Sequence, residues 1–228
     1  ISDKNLVNPD EFSTYKEKIL FMPSIWNALS PPDKLPDIER NSDDSKFTFC
    51  SFNNFLKISE KTIEVWSTII TQTNSNILLK DSLNGGDELK LNIINKFLKY
   101  GVKSENLIFL KREKEIYDHL KLYNKADVAL DTFPYPGVTT SYEAVLMGLP
   151  VLSMKGFNMN SRCGESINKN LGMDHLIADD YEDYVNKAIM LKKDENLKKN
   201  YGIHLRDKAL ASPLFDTNLF TKNFEKNA

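Results

Sequence analysis

From Lys46 onward the chain alternates short apolar runs with stretches whose apolar residues recur at helical spacing. The runs at 47–52, 77–80, 107–110, 128–131, 151–154 and 175–178 are predicted as strands. Between them, 60-EKTIEVWSTIITQT-73, 88-ELKLNIINKFLKY-100, 113–125, 139–147 and 161–170 are predicted as helices. Ser59 suits the N-cap of the first, and Gly101 and Gly172 suit helix C-terminal ends. Helices over 181–191 and 195–211, and one beyond Pro213, close the chain. Strands that are continuously apolar and regularly separated by helices predict an α/β fold, a Rossmann-like doubly wound parallel sheet covered on both faces. Ligands of such sheets bind at the carboxyl ends of the strands, so the loops there carry the argument.

Residues 1–45 break this rhythm. They are polar, punctuated by Pro9, Pro23, Pro31, Pro32 and Pro36, and only 15-YKEKILFMPSIW-26 is apolar enough to adhere to a core. An extended arm lying on a domain of residues 46–228 is expected, with weak internal structure. The chain opens on Ile, which suggests a fragment.

Composition narrows the classes without choosing among them. The 228 residues are 41% apolar and 27% charged, as in ordinary globular proteins. A formal net charge of −2 gives no support to nucleic-acid binding. No apolar run reaches the ~18–20 residues of a membrane span, and no signal peptide opens the chain. Cys50 and Cys163 read as two buried thiols in preference to a disulfide. No metal site is expected: His119, His175 and His204 lack ligand spacing, and the acidic pairs Asp43-Asp44 and Asp179-Asp180 read as solvated turns. The Gly-Gly of DSLNGGDE reads as a surface loop.

Three loops could carry chemistry. After the run at 128–131, the segment 131-DTFPYPGVTTSYEAVLMGLPV-151 stiffens its exit with Pro134 and Pro136 and allows close approach at Gly137. A helix then begins near Val138, Thr139 and Thr140. Its unpaired N–H groups and the threonine hydroxyls form an anion site, with Glu143 one turn along to accept ribose hydroxyls. T-x-x-E is equally a capping box. In 49-FCSFNNFLKIS-59, Asn54 and Lys57 could converge, with Lys57 neutralising a diphosphate; an Asn-rich turn with a solvated lysine is the alternative. His119, on a helix leading into the 128–131 strand, could face the same ligand or sit as an ordinary boundary residue.

Taken in series, 47-FTFCSFNNFLKIS-59, 126-ADVALDTFPYPGVTTSYEAVLMGLPVL-152, 161-SRCGES-166 and 212-SPLFD-216 resemble the C-terminal catalytic region of protein O-GlcNAc transferases and their plant relatives of the SPINDLY type. The resemblance covers about residues 46–225. It implies the C-terminal, donor-binding lobe of a cytoplasmic GT-B glycosyltransferase. An N-terminal lobe and helical repeats would lie upstream, and residues 1–45 would be the interlobe arm or the tail of that lobe. It further implies an inverting transfer of GlcNAc from UDP-GlcNAc to Ser or Thr of a protein acceptor, with no metal, no nucleic acid and no membrane. The isolated fragment is expected to be inactive.

Position by position, the resemblance makes Lys57 the catalytic lysine on the donor diphosphate and sets His119 beside the nucleobase. Thr139 and Thr140 fall on the phosphates and Glu143 on the ribose. Asn54 matches a position that is Gln in the animal enzymes, and Arg162 one with a structural or interlobe role. Gly137 and Val138 complete the binding loop. Here 137-GVTT-140 with Glu143 departs from the G-H-T-T of O-GlcNAc transferases toward the SPINDLY type, which resembles protein O-fucosyltransferases using GDP-fucose. The nucleobase therefore stays open between uracil and guanine.

Overall fold

A computed structural model describes residues 1–39, 46–80 and 86–227. Its sheet contains β1 Thr48–Ser51, β2 Asn76–Lys80, β3 Leu107–Leu110, β4 Val128–Leu130, β5 Val151–Met154 and β6 Ile177–Ala178. All neighbours pair in parallel in the order β3-β2-β1-β4-β5-β6. The chain winds outward from β1 to β3, then returns to lay β4 against the other side of β1. That reversal is the topological switch point, where the crevice of such a sheet opens.

The helices are α1 Glu60–Thr73, α2 Gly86–Lys99, α3 Ile116–Lys121, α4 Thr139–Leu146, α5 Cys163–Asn170, α6 Tyr181–Lys193, α7 Leu197–Asn200, α8 Ile203–Leu210 and α9 Thr217–Asn227. The central strands β1 and β4 are buried at every position, which explains their unbroken apolar reading. The Ser59 hydroxyl accepts the Thr62 amide and caps α1, which buries Ile63, Trp66, Ile69 and Ile70. Cys50 and Cys163 are both buried and not joined. Among the described residues no helix is long and apolar enough to cross a membrane.

Three elements differ from expectation. The stretch expected as one helix over 113–125 becomes α3 from Ile116 and a tighter 3-10 turn, Leu122–Lys125. The strand expected at 175–178 keeps only Ile177–Ala178, after a 3-10 turn. The helix expected over 195–211 is two, broken at Tyr201 and Gly202. Gly202 takes a left-handed φ of 69° and donates its amide to the Gly148 carbonyl at 2.9 Å. A Cβ on Gly148 would lie 2.2 Å from the Gly202 carbonyl oxygen; this backbone contact, which no helical periodicity reveals, interrupts the helix.

The arm is ordered by what it touches. Leu6 and Val7 are buried against Cys163. Asp3, fully buried, accepts the Ser166 hydroxyl at 2.7 Å and the Trp26 amide at 3.0 Å. Arg162 forks onto Glu11 at 2.6 and 2.7 Å and donates to the Leu6 carbonyl at 2.9 Å. Tyr142 in α4 donates to the Asn27 carbonyl, and Arg206 in α8 to that of Pro36. The arm thus bears on α4, which starts from the crevice loop, and on α5 and α8. Asp43-Asp44 and residues 81–85 of the Gly-Gly loop lie outside the described residues.

Candidate functional site

At the switch point β1 runs into Asn53, Asn54 and a 3-10 turn, Phe55–Lys57, while β4 runs into the loop that starts α4. Val138 is the N-cap of α4, and no side chain caps its amides. The alternative reading of Thr140 and Glu143 as a capping box is therefore not what forms. The Thr140 hydroxyl donates to Asn53 Oδ1 at 3.2 Å, and Glu143 turns the other way, to His119. The amides opening α4 are those a helix leaves without internal partners, and they sit at its positive end.

The loop is held from beneath by Asp131, 2% exposed. Its Oδ1 accepts the Gly137 amide at 2.6 Å, the Thr132 amide at 3.0 Å and the Asn53 side-chain amide at 3.3 Å. Its Oδ2 accepts the Ser153 hydroxyl at 3.1 Å. Burial pushes the carboxyl up to about 6, against the pull of these donors and of Lys57. Gly137 has no room for a side chain: a Cβ would come within 2.3 Å of Thr140 Oγ1 and 2.8 Å of Ser141 Oγ. Thr132 is followed by a cis Phe133–Pro134 bond.

Lys57 reaches this loop from the β1 side. Its ammonium donates to the Pro136 carbonyl at 3.0 Å and lies 4.3 Å from the Tyr135 ring centroid. Burial lowers its pKa, and the nearby Asp131 opposes that shift. A cation and an uncapped helix start therefore flank 136-PGVTT-140, as an anion site requires.

A cavity of about 320 Å³ opens beside the Thr139–Thr140 turn, with Phe52, Lys80, His119 and Glu143 among its walls. His119 Nε2 lies 2.9 Å from Glu143 Oε2, which also accepts the Tyr123 hydroxyl at 3.0 Å. His119 Nδ1 lies 2.5 Å from Lys80 Nζ. Lys80 is 7% exposed; burial lowers its pKa and the Glu143 charge opposes this.

The structure thus lines one cavity with Thr139, Thr140, His119 and Glu143 and sets Gly137, and Lys57 on Pro136, on the loop that leads into it. Val138 contributes backbone, its side chain packing toward the Leu6–Val7 cluster. Asn54 does not join them: its Oδ1 accepts the Leu56 amide at 3.0 Å, capping its own turn. Asn53 is the asparagine that reaches Thr140 and Asp131. Arg162 serves the arm. Asp180 caps α6 and Asp179 pairs with Lys155 at 3.1 Å. Sequence reasoning missed Asn53, Asp131 and Lys80, although each stands at the carboxyl end of a strand or one to two residues beyond it. A second cavity, about 250 Å³, lies on the β5–β6 side of the loop between Phe133, Phe157 and Tyr181.

The family model of glycosyl transferase family 41 matches residues 39–224. A probable UDP-N-acetylglucosamine–peptide N-acetylglucosaminyltransferase SPINDLY of Eustoma exaltatum subsp. russellianum is 30% identical over 97% of this chain. The corresponding SEC protein of Arabidopsis thaliana is 24% identical over 97% of it. The chain spans 24% of the length of each. Among solved structures, a mutant of the Thermobaculum terrenum O-GlcNAc transferase superposes with a TM-score of 0.86 at 26% identity, covering 99% of this chain and 43% of that one. Staphylococcus aureus TarM, at 15% identity and a TM-score of 0.60, shares the fold over 97% of this chain and 42% of its own.

Proposed function

This chain belongs to glycosyl transferase family 41, and we propose that it is the donor-binding lobe of an inverting protein O-glycosyltransferase. It takes UDP-GlcNAc, and the acceptor is a Ser or Thr hydroxyl of a protein. The observation that carries this reading is the meeting of Lys57 with the uncapped start of α4 on a single loop at the switch point. As the bond between sugar and diphosphate breaks, negative charge grows on the leaving phosphate. Lys57, the α4 amides and the Thr139 and Thr140 hydroxyls are the groups that would receive it. One well-aimed donor in such a site contributes on the order of 3 kcal/mol to the transition state. Glu143 accepts the ribose hydroxyls, and His119 walls the nucleoside cavity.

This assignment needs no divalent ion, because the charge compensation is built from the chain. It does need more protein. The acceptor contacts and the group that takes the acceptor proton belong to a second lobe, of which residues 1–45 would be the tail or the connecting arm. A cytoplasmic location fits the same reading.

A second reading, transfer of fucose from GDP-fucose, draws on 137-GVTT-140 and on Glu143. Calorimetric titration of this chain with UDP-GlcNAc and GDP-fucose separates the two. Binding of the uridine donor alone supports the first and of the guanosine donor alone the second. Binding of neither overturns the donor-lobe assignment and leaves an interaction module.

A further inference from the structure

Lys80 has no part in the function described so far, yet the residue is buried at the wall of the nucleoside cavity. It closes β2 at the carboxyl edge of the sheet, with Nζ 5.5 Å from the Phe52 ring centroid. Lysine is rarely buried to this degree without a polar purpose. Its Nζ faces the imidazole of His119, 2.5 Å from Nδ1 and 3.5 Å from Nε2.

We infer that Lys80 is a positioning residue that locks His119 in the tautomer bearing its proton on Nε2 and thereby sets which oxygen of Glu143 meets the ligand. A lysine ammonium has three donors and no acceptor, so the ring nitrogen beside it must present a lone pair. The proton of the imidazole then sits on Nε2, which donates to Glu143 Oε2 at 2.9 Å. The hydrogen bond at one ring nitrogen fixes the state of the other. Oε2 also accepts the Tyr123 hydroxyl. Among the described residues Oε1 accepts no hydrogen bond, which leaves it for a ligand in the cavity. The chain of donation runs Lys80 to His119 to Glu143. This inference rests on the donor-lobe reading only for the identity of the ligand; the lock itself is a property of the chain.

The test has two arms. With only three histidines in the sequence, long-range ¹H–¹⁵N spectra of the full 228-residue chain resolve each ring, and loss of signals in His119→Gln assigns His119. A protonated Nε2 and an unprotonated Nδ1 are expected in the wild type. Lys80→Met keeps the buried stem and removes the donor, so a detectable Nδ1–H population should appear; Lys80→Arg, which retains a donor, should restore the wild-type pattern. In the second arm, Lys80→Met should weaken UDP-GlcNAc or GDP-fucose, whichever the wild type binds, by about tenfold, the scale of one charge-assisted hydrogen bond. An Nδ1–H tautomer in the wild type, or the same tautomer with and without Lys80, overturns the lock. A changed tautomer with unchanged affinity overturns its bearing on Glu143. A wild type that binds neither nucleotide-sugar refutes the donor reading instead, and the spectra still decide the lock.

Discussion

Replacing Asp131 with Asn should make this protein more stable at neutral pH. The carboxyl is buried, and its pKa is raised from 3.8 to about 6. The folded state therefore binds a proton between these values where the unfolded chain does not, so stability falls as pH rises through the window from about 4 to 6. A shift of about 2 units at ~1.4 kcal/mol each corresponds to about 3 kcal/mol lost once the group is ionised. Asparagine is the neutral isostere. Its oxygen can keep the Gly137, Thr132 and Asn53 donors, and its amide can donate to the Ser153 hydroxyl, which turns to accept. Urea unfolding should show Asp131→Asn ahead of wild type by up to about 3 kcal/mol at pH 7, narrowing to about 1 kcal/mol at pH 4.5. A variant less stable than wild type at pH 7, or a gap that ignores pH, would mean that the donors on the carboxylate outweigh its burial. The confirming result would mark Asp131 as a charge kept at a cost to the fold, which is characteristic of functional sites.

Lys57→Ala in the assembled enzyme should lower turnover about a hundredfold, the worth of one well-aimed donor, in a steady-state assay; near-normal kcat would remove its role. Gly137→Ala drives a methyl into Thr140 Oγ1 and Asn53 Oδ1, so nucleotide-sugar affinity by calorimetry should fall at least about tenfold, the loss of one charge-assisted contact. The Arg162 fork holds Glu11 at about 2, below its usual 4.5, so its contribution is complete above pH 4.5 and is lost as pH falls toward 2. Protection factors for amide exchange at Leu6 and Val7 should fall over that range in the wild type, and already at neutral pH in Glu11→Gln.

The sheet was legible because burial on both faces writes its central strands as apolar runs, and because Ser59, Gly101 and Gly172 punctuate the helices where expected. The helix start in the loop was legible for a chemical reason, since Gly137 followed by Thr139 and Thr140 describes a close approach and then a helix N-terminus. What stayed hidden depends on contacts between distant segments. Asp131 reads as the polar end of a strand until Gly137, six residues on, folds back onto it. Lys80 reads as a strand terminus until α3 brings His119 over it. Asn53 and Asn54 are indistinguishable in one dimension, and only the turn decides that Asn54 caps Leu56 while Asn53 faces Thr140. The arm lacked periodicity because its order comes from Arg162, Ser166 and Tyr142, all beyond the first hundred residues. A rule would have found two of the missed residues: polar side chains that end apolar parallel strands stand where ligands bind.

The most direct test is a crystal structure of this chain soaked with the nucleotide-sugar it binds. The diphosphate is expected within about 3 Å of the amides opening α4 and of the Lys57 ammonium, drawn from the Pro136 carbonyl. A diphosphate lodged instead in the cavity between Phe133 and Tyr181, with Lys57 still on Pro136, would contradict the claim that these two elements grip one anion.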